Sequence, residues 1–167
     1  MPSSDPSIYE EILIESNDGS TSVDLRLGVQ SIDYYEDIFS PTITLKMVIT
    51  NTGNTVNGKG IYQGLPLRGG ERVSIRIKDK LDFSDRSQYF YVSSITNVIS
   101  NNQSESFVLN LCSREAITNE TARVPVKFPT SSPISVSAEK IIKDYLRTPK
   151  TVEVDKTMNK YGFIGNM

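Results

Sequence analysis

Apolar residues fall at every second position over whole segments of this chain, the spacing of strands with one face in a core and the other in water. Between Ser22 and Gln30 the apolar set is Val23, Leu25, Leu27 and Val29, and between Thr42 and Asn51 it is Ile43, Leu45, Met47 and Ile49. Between Glu71 and Lys78, the residues Val73, Ile75 and Ile77 alternate with Arg72, Ser74, Arg76 and Lys78, so the outer face of that strand is cationic. Gln88 to Ile99 is rich in Tyr, Phe, Val and Ile. It leads through the turn-prone Ser100-Asn101-Asn102-Gln103 into Glu105 to Cys112, with Phe107, Leu109 and Leu111 inward, and this pair predicts a hairpin. A shorter strand, Glu11 to Glu15 with Ile12 and Ile14 inward, opens the domain after a leader over residues 1–10.

Strands of this number, joined by Gly, Asn and Ser turns, predict a mainly β fold. The expected form is a small antiparallel β-barrel over residues 11–112, closed or nearly closed, with a sandwich as the close alternative. The 21 Ser, 13 Thr and 11 Asn suit solvent-facing strand positions and turns better than long helices. Two connections exceed simple turns. The first, Asn51 to Gly60, is polar and contains Asn57-Gly58, which predicts a tight turn in a projecting hairpin. The second, Gly64-Leu65-Pro66-Leu67-Arg68-Gly69-Gly70, joins a rigid Pro to two glycines able to take positive φ.

Period and composition change after Cys112. Ser113 to Ala122 predicts one or two helical turns, and residues 113–133 form a connector whose later part is extended and punctuated by Pro125, Pro129 and Pro133. A helix follows, with Ala138, Ile141, Ile142, Tyr145 and Leu146 on one face. Ser135 or Ser137 is expected to cap its start and Pro149 to stop it. Residues 134–167 therefore read as the start of a second, incomplete α+β domain of a longer polypeptide, ending in the apolar run Tyr161 to Met167.

The sequence contains no histidine, which removes imidazole as base, relay or metal ligand and with it most hydrolase templates and ordinary zinc sites. The single Cys112 forms no internal bridge and has no nearby cationic pair to lower its pKa, so it reads as a passive thiol. The carboxylate pairs Glu10/Glu11, Glu36/Asp37 and Asp82/Asp85 read as solvated charges, the first with its members on opposite faces of a strand. The glycines of residues 64–70 lack the Gly-Lys-Ser/Thr end of a phosphate loop and read as a turn. A net charge of −2 argues against nucleic-acid coating, and no apolar run is long enough for a membrane span or a secretion signal. The expectation is a non-enzymatic protein without cofactor or metal, soluble and unsecreted.

Two features read as partner surfaces. Arg68, Arg72, Arg76, Lys78 and Lys80 form the densest basic run, either a solvated strand face or a contact with an acidic partner, offset in part by Glu71 and Asp79. The segment Ile32-Asp33-Tyr34-Tyr35-Glu36-Asp37-Ile38-Phe39 places large apolar residues where turn residues are expected. It either folds back over the barrel mouth or anchors an interface through Tyr34, Tyr35 and Phe39.

The order and spacing of several segments resemble a known family. These are Asp33 to Pro41 (DYYEDIFSP), Gly64 to Glu71 (GLPLRGGE), Arg114 to Glu120 (REAITNE), the helix Ala138 to Leu146 and the end Tyr161 to Asn166. Together they are similar to the N-terminal part of the baseplate hub proteins of contractile-tailed phages, especially those infecting marine cyanobacteria, over most of the chain from Glu11 onward. The resemblance implies a structural virion protein of the tail baseplate, present in the host cytoplasm during assembly. It implies a homotrimer in which each subunit carries two tube-like β-barrel domains, so that three copies present a pseudo-sixfold ring around the DNA exit channel. Such a ring adapts a threefold central spike protein to the sixfold tail tube or tube-initiator proteins, without sequence-specific nucleic-acid binding or a membrane. Residues 11–112 correspond to the first tube-like domain, and the Pro-rich stretch and following helix to the opening of the second.

A reading from another class is a carbohydrate- or peptide-binding β module of a tail fibre or surface protein, with Tyr89, Phe90 and Tyr91 as its aromatic platform. A third is an enzyme using Asp82 and Asp85. Self-association separates the ring component from a monomeric binding module.

Overall fold

The structure, a computed structural model, describes residues 8–40, 42–52, 56–78, 87–101, 103–159 and 162. Residues 1–7 of the leader, Lys80, the Asp82/Asp85 pair, Asn102 and most of the apolar end after Asn159 lie outside the described residues. The chain divides into two compact units, Met1–Ser113 and Arg114–Met167.

The first unit is mainly β. Seven strands, β1 (Ile8–Glu15), β2 (Ser22–Asp24), β3 (Val29–Tyr35), β4 (Thr44–Thr52), β5 (Arg72–Lys78), β6 (Gln88–Ser100) and β7 (Ser104–Ser113), form one curled antiparallel half-barrel sheet in the order β2-β1-β5-β6-β7-β4-β3. Most residues of the alternating apolar sets line its core side, while Ile77, near the end of β5, is 44% exposed. Ile43, Leu45, Met47 and Ile49, with Phe107, Leu109 and Leu111, are all buried there, as are Ile12, Ile14, Val73 and Ile75. A four-residue helix, α1 (Ile61–Gly64), and the loop after it add Ile61, Leu65 and Leu67 to the same cluster, and Tyr62 meets Phe107 with ring centroids 6.0 Å apart.

The expected single strand Ser22 to Gln30 is in fact two. β2 pairs with β1 at one end of the sheet, and β3 pairs with β4 at the other. Between them a turn forms, in which the amides of Gly28 and Val29 both donate to the Leu25 carbonyl at 2.9 and 3.0 Å. The turn resets the alternation, so Val23 and Leu25 are buried while Leu27 stands fully in solvent. Leu25 still donates to Ile12 at 2.8 Å, and Gly28 accepts from Thr50 at 2.8 Å. One chain segment thereby ties the two ends of the sheet. Gly28 is required where the backbones approach, because a Cβ there would lie 3.0 Å from the Thr50 carbonyl oxygen.

The predicted β6–β7 hairpin is present. Asn101 closes it by accepting the amides of Gln103 and Ser104 on its side chain at 2.9 and 2.8 Å. Asn57 and Gly58 take φ of 49° and 75° between the bridged residues Val56 and Lys59, the backbone of a primed two-residue turn. Gly69 and Gly70 have φ of 109° and 91°, as their loop requires.

In the second unit, α2 (Arg114–Thr121) lies in the stretch expected to be helical. The later helix is α3 (Ile134–Lys140), which passes into a π-helical turn, Ile141–Leu146, closed by Arg147 in the left-handed region. Its start is not capped by a serine. Pro133 occupies the N-cap position, while Ser135 and Ser137 lie buried inside the helix, because Pro fixes a φ suited to helix entry and the chain turns before either serine is reached. Among the described residues, no helix is long and apolar enough to cross a membrane.

Candidate assembly surface

The segment carrying Tyr34, Tyr35 and Phe39 is not simply a loop. Ile32 to Tyr35 complete β3, which pairs with β4 on one side and, among the described residues, with no strand on the other, where it forms a sheet edge. Ile32 and Tyr34 oppose Met47 and Leu45 on the concave side. Asp33 and Tyr35 oppose Lys46 and Thr44 on the convex side. Tyr34 is exposed, at 43%. The desolvation that remains, with its hydroxyl donating to Glu36 at 3.1 Å, pushes its pKa up to about 12.

Beyond the strand the chain turns on Asp37, whose side chain accepts the Phe39 amide at 2.9 Å while its carbonyl accepts the Ser40 amide at 3.0 Å. The turn holds two large apolar side chains at its tip, Ile38 at 93% and Phe39 at 92% exposure. Of the two alternatives left open by the sequence, folding over the mouth would have buried them. What the turn leaves is a pair of adjacent, exposed, large apolar side chains held on a hydrogen-bonded tip.

The cationic run is organised differently. Arg72 pairs with Glu15, with Nε 2.9 Å from the carboxylate, and its guanidinium lies 5.3 Å from the centroid of the Tyr89 ring. Arg76 approaches Glu10 at 3.3 Å. Both outward charges are thus met by β1 carboxylates of the same chain. The exposed Arg68 borders a shallow cleft with Asn17, Asp18 and Leu65. Lys78 belongs to β5, and its side chain lies outside the described residues.

Glu10 and Glu11 do not point to opposite faces as expected. A β-bulge between Tyr9 and Glu11 lets Glu10 reach Arg76 while Glu11 accepts from Ser74 at 2.9 Å, and both partners stand on the same face of β5. Glu36 and Asp37 are exposed, as read.

Three glutamates are buried, and their role was not legible from their neighbours. Glu71, read as offsetting the surface cations, accepts the amides of Arg68 at 2.8 Å and Gly69 at 2.9 Å and the side-chain amide of Asn17 at 3.0 Å, which pins the loop of residues 65–70. Glu105 accepts the amides of Ile61 and of Tyr62 (3.2 Å) and the side chain of Asn51 (2.9 Å), fastening α1 to β7. Glu115, in the second unit, accepts from Thr148 at 2.5 Å with Lys150 3.6 Å away. A carboxylate directly after a Gly-Gly loop is the signal that could have found Glu71, while Glu105, set between two serines, carries none.

Cys112 is buried, and burial pushes its pKa up, which keeps it a thiol rather than a nucleophile. Among the described residues no three acidic or cysteine side chains gather in a way that could hold a metal ion. The aromatic platform of the binding-module reading does not form as a unit. Phe90 is in the core, Tyr89 lies under Arg72, and Tyr91 is part-buried. No protein-family model and no curated protein matches the chain.

Proposed function

We propose that this protein is a structural assembly subunit of the phage baseplate-hub type and performs no catalysis. In this reading it acts in the virion tail as a homotrimer that adapts a central spike to tail tube or tube-initiator proteins and surrounds the DNA exit channel, with the half-barrel as its first tube-like domain. The observation that carries the reading is the free β3 edge continuing into the exposed Ile38/Phe39 tip. An open strand edge beside a rigid apolar projection leaves both hydrogen-bonding groups and apolar area unsatisfied in a lone chain, and association removes both deficits. The basic face of β5 contributes less to partner choice in this account, since Arg72 and Arg76 are already paired with Glu15 and Glu10.

Electron microscopy of the protein alone and mixed with its tube protein tests the proposal. Threefold rings with six similar lobes are the expected result. Isolated monomers under both conditions would sink it, and retention on immobilised glycans by such monomers would favour the binding-module reading.

A further inference from the structure

We infer that residues 123–127 of one copy, Arg-Val-Pro-Val-Lys, add as a short strand to the free β3 edge of a second copy. The inference rests on the assembly reading above and names the partner surface for that edge.

An edge strand offers alternate N–H and C=O groups to whatever extended chain approaches, and such an edge binds by strand addition. Toward its C-terminal end the β3 edge is acidic. Asp33, Glu36 and Asp37 lie within and just beyond it, and none forms an ion pair among the described residues; Lys46, across from Asp33, is the cation facing them. Its occupant should therefore be extended, cationic and apolar by turns.

Residues 123–127 have that chemistry. All five are exposed, they belong to no helix or strand, and among the described residues no strand pairs with them. Val124 and Val126, 42% and 43% exposed, alternate with Arg123, Pro125 and Lys127. Arg123 Nη1 rests on the carbonyls of Glu120 and Ala122 at 3.1 and 3.0 Å, and among the described residues no carboxylate forms an ion pair with it. In a strand the backbone groups alternate with the side chains. If Val124 and Val126 bond to β3, then Pro125 directs its missing donor away from the sheet, the one arrangement an edge strand tolerates. That proline also blocks a further strand, so addition stops after one. Because edge and arm are different surfaces of one chain, the contact is head-to-tail, the kind that closes into rings.

The test is sedimentation velocity on the full chain over a range of concentration and salt, with hydrogen exchange on the same samples. The pair Arg123→Glu with Lys127→Glu should weaken self-association at least about tenfold, as should Asp33→Lys with Glu36→Lys, a pair that leaves the Asp37 turn in place. All four together should restore it, and protection of β3 and residues 123–127 should appear and vanish together. All four sites are exposed or on the outer face, and circular dichroism melts check that folding is unchanged. Self-association indifferent to either reversal, or lost on reversal and not restored by the swap, overturns the arm while leaving the assembly reading intact. Absence of self-association in the unaltered chain at every concentration overturns the arm, and monomers that persist with the tube protein present overturn both.

Discussion

Gly60 and Glu105 occupy one space: a Cβ on Gly60 would come within 2.6 Å of the Glu105 carboxyl carbon. The glycine exists so that a buried carboxylate can reach the amides at the start of α1. Replacing Glu105 with Ala strands those amides and Asn51, and should cost about 3 kcal/mol in chemical denaturation. Gly60→Ala should also destabilise. The double variant should cost less than the sum, since the side chain that collides is gone. Additive costs would show that the two do not share a site.

Glu71 anchors its loop by the same chemistry, with Arg68, Gly69 and Asn17 as donors. Glu71→Gln keeps the size but turns an amide donor toward backbone N–H groups, so denaturation should register a loss of about 2 kcal/mol. A neutral outcome would mean the loop does not depend on the carboxylate.

Acid sensitivity should trace in part to Asp18. Its carboxylate accepts from Ser16 and from the amide and hydroxyl of Ser20, and these hydrogen bonds hold its pKa down to about 2 from 3.8. A carboxylate depressed in the folded state stabilises it above the unfolded pKa, and the contribution is lost as pH falls from 3.8 towards 2. Asp18→Asn should therefore flatten the stability profile in that window, and its difference from the parent should shrink once both are below it. A parallel offset at every pH would assign the effect to something other than ionisation.

Tyr34 titrates in the opposite sense. Desolvation and the Glu36 hydrogen bond favour its neutral form, so its stabilising effect is whole below about pH 10 and fades as pH rises towards about 12. Ultraviolet titration should find one tyrosine ionising late, and Glu36→Gln should move it partway back. An unchanged curve would leave desolvation as the sole cause.

The tip separates folding from assembly. Ile38→Ser with Phe39→Ser removes apolar groups that touch little of their own chain, so stability should stay within about 0.5 kcal/mol. Self-association measured by light scattering should nonetheless fall. Loss of stability with intact association would reverse the roles given to these residues.

How much of this could be read in advance differs from residue to residue. Met47, Leu109 and Ile75 were legible as core because alternation is written in the nearest neighbours of each. Leu27 was not, because a turn at Gly28 breaks the period, and that turn is held both by its own amides on Leu25 and by the Thr50 amide of distant β4. Glu71 looked like a surface charge until the loop amides around it were known.

The sequence by itself determined that β1, β4, β5, β6 and β7 become strands, which side of β4 and β7 faces the core and where the Asn101 and Asn57-Gly58 turns fall. All of these follow from local backbone preference and a two-residue period. Only the tertiary structure decided that β1 lies beside β5, that β4 lies beside β7 and that β3 is left as an edge. Neighbours in a sheet are chosen by contacts between residues far apart in the chain, and a local pattern holds no record of them.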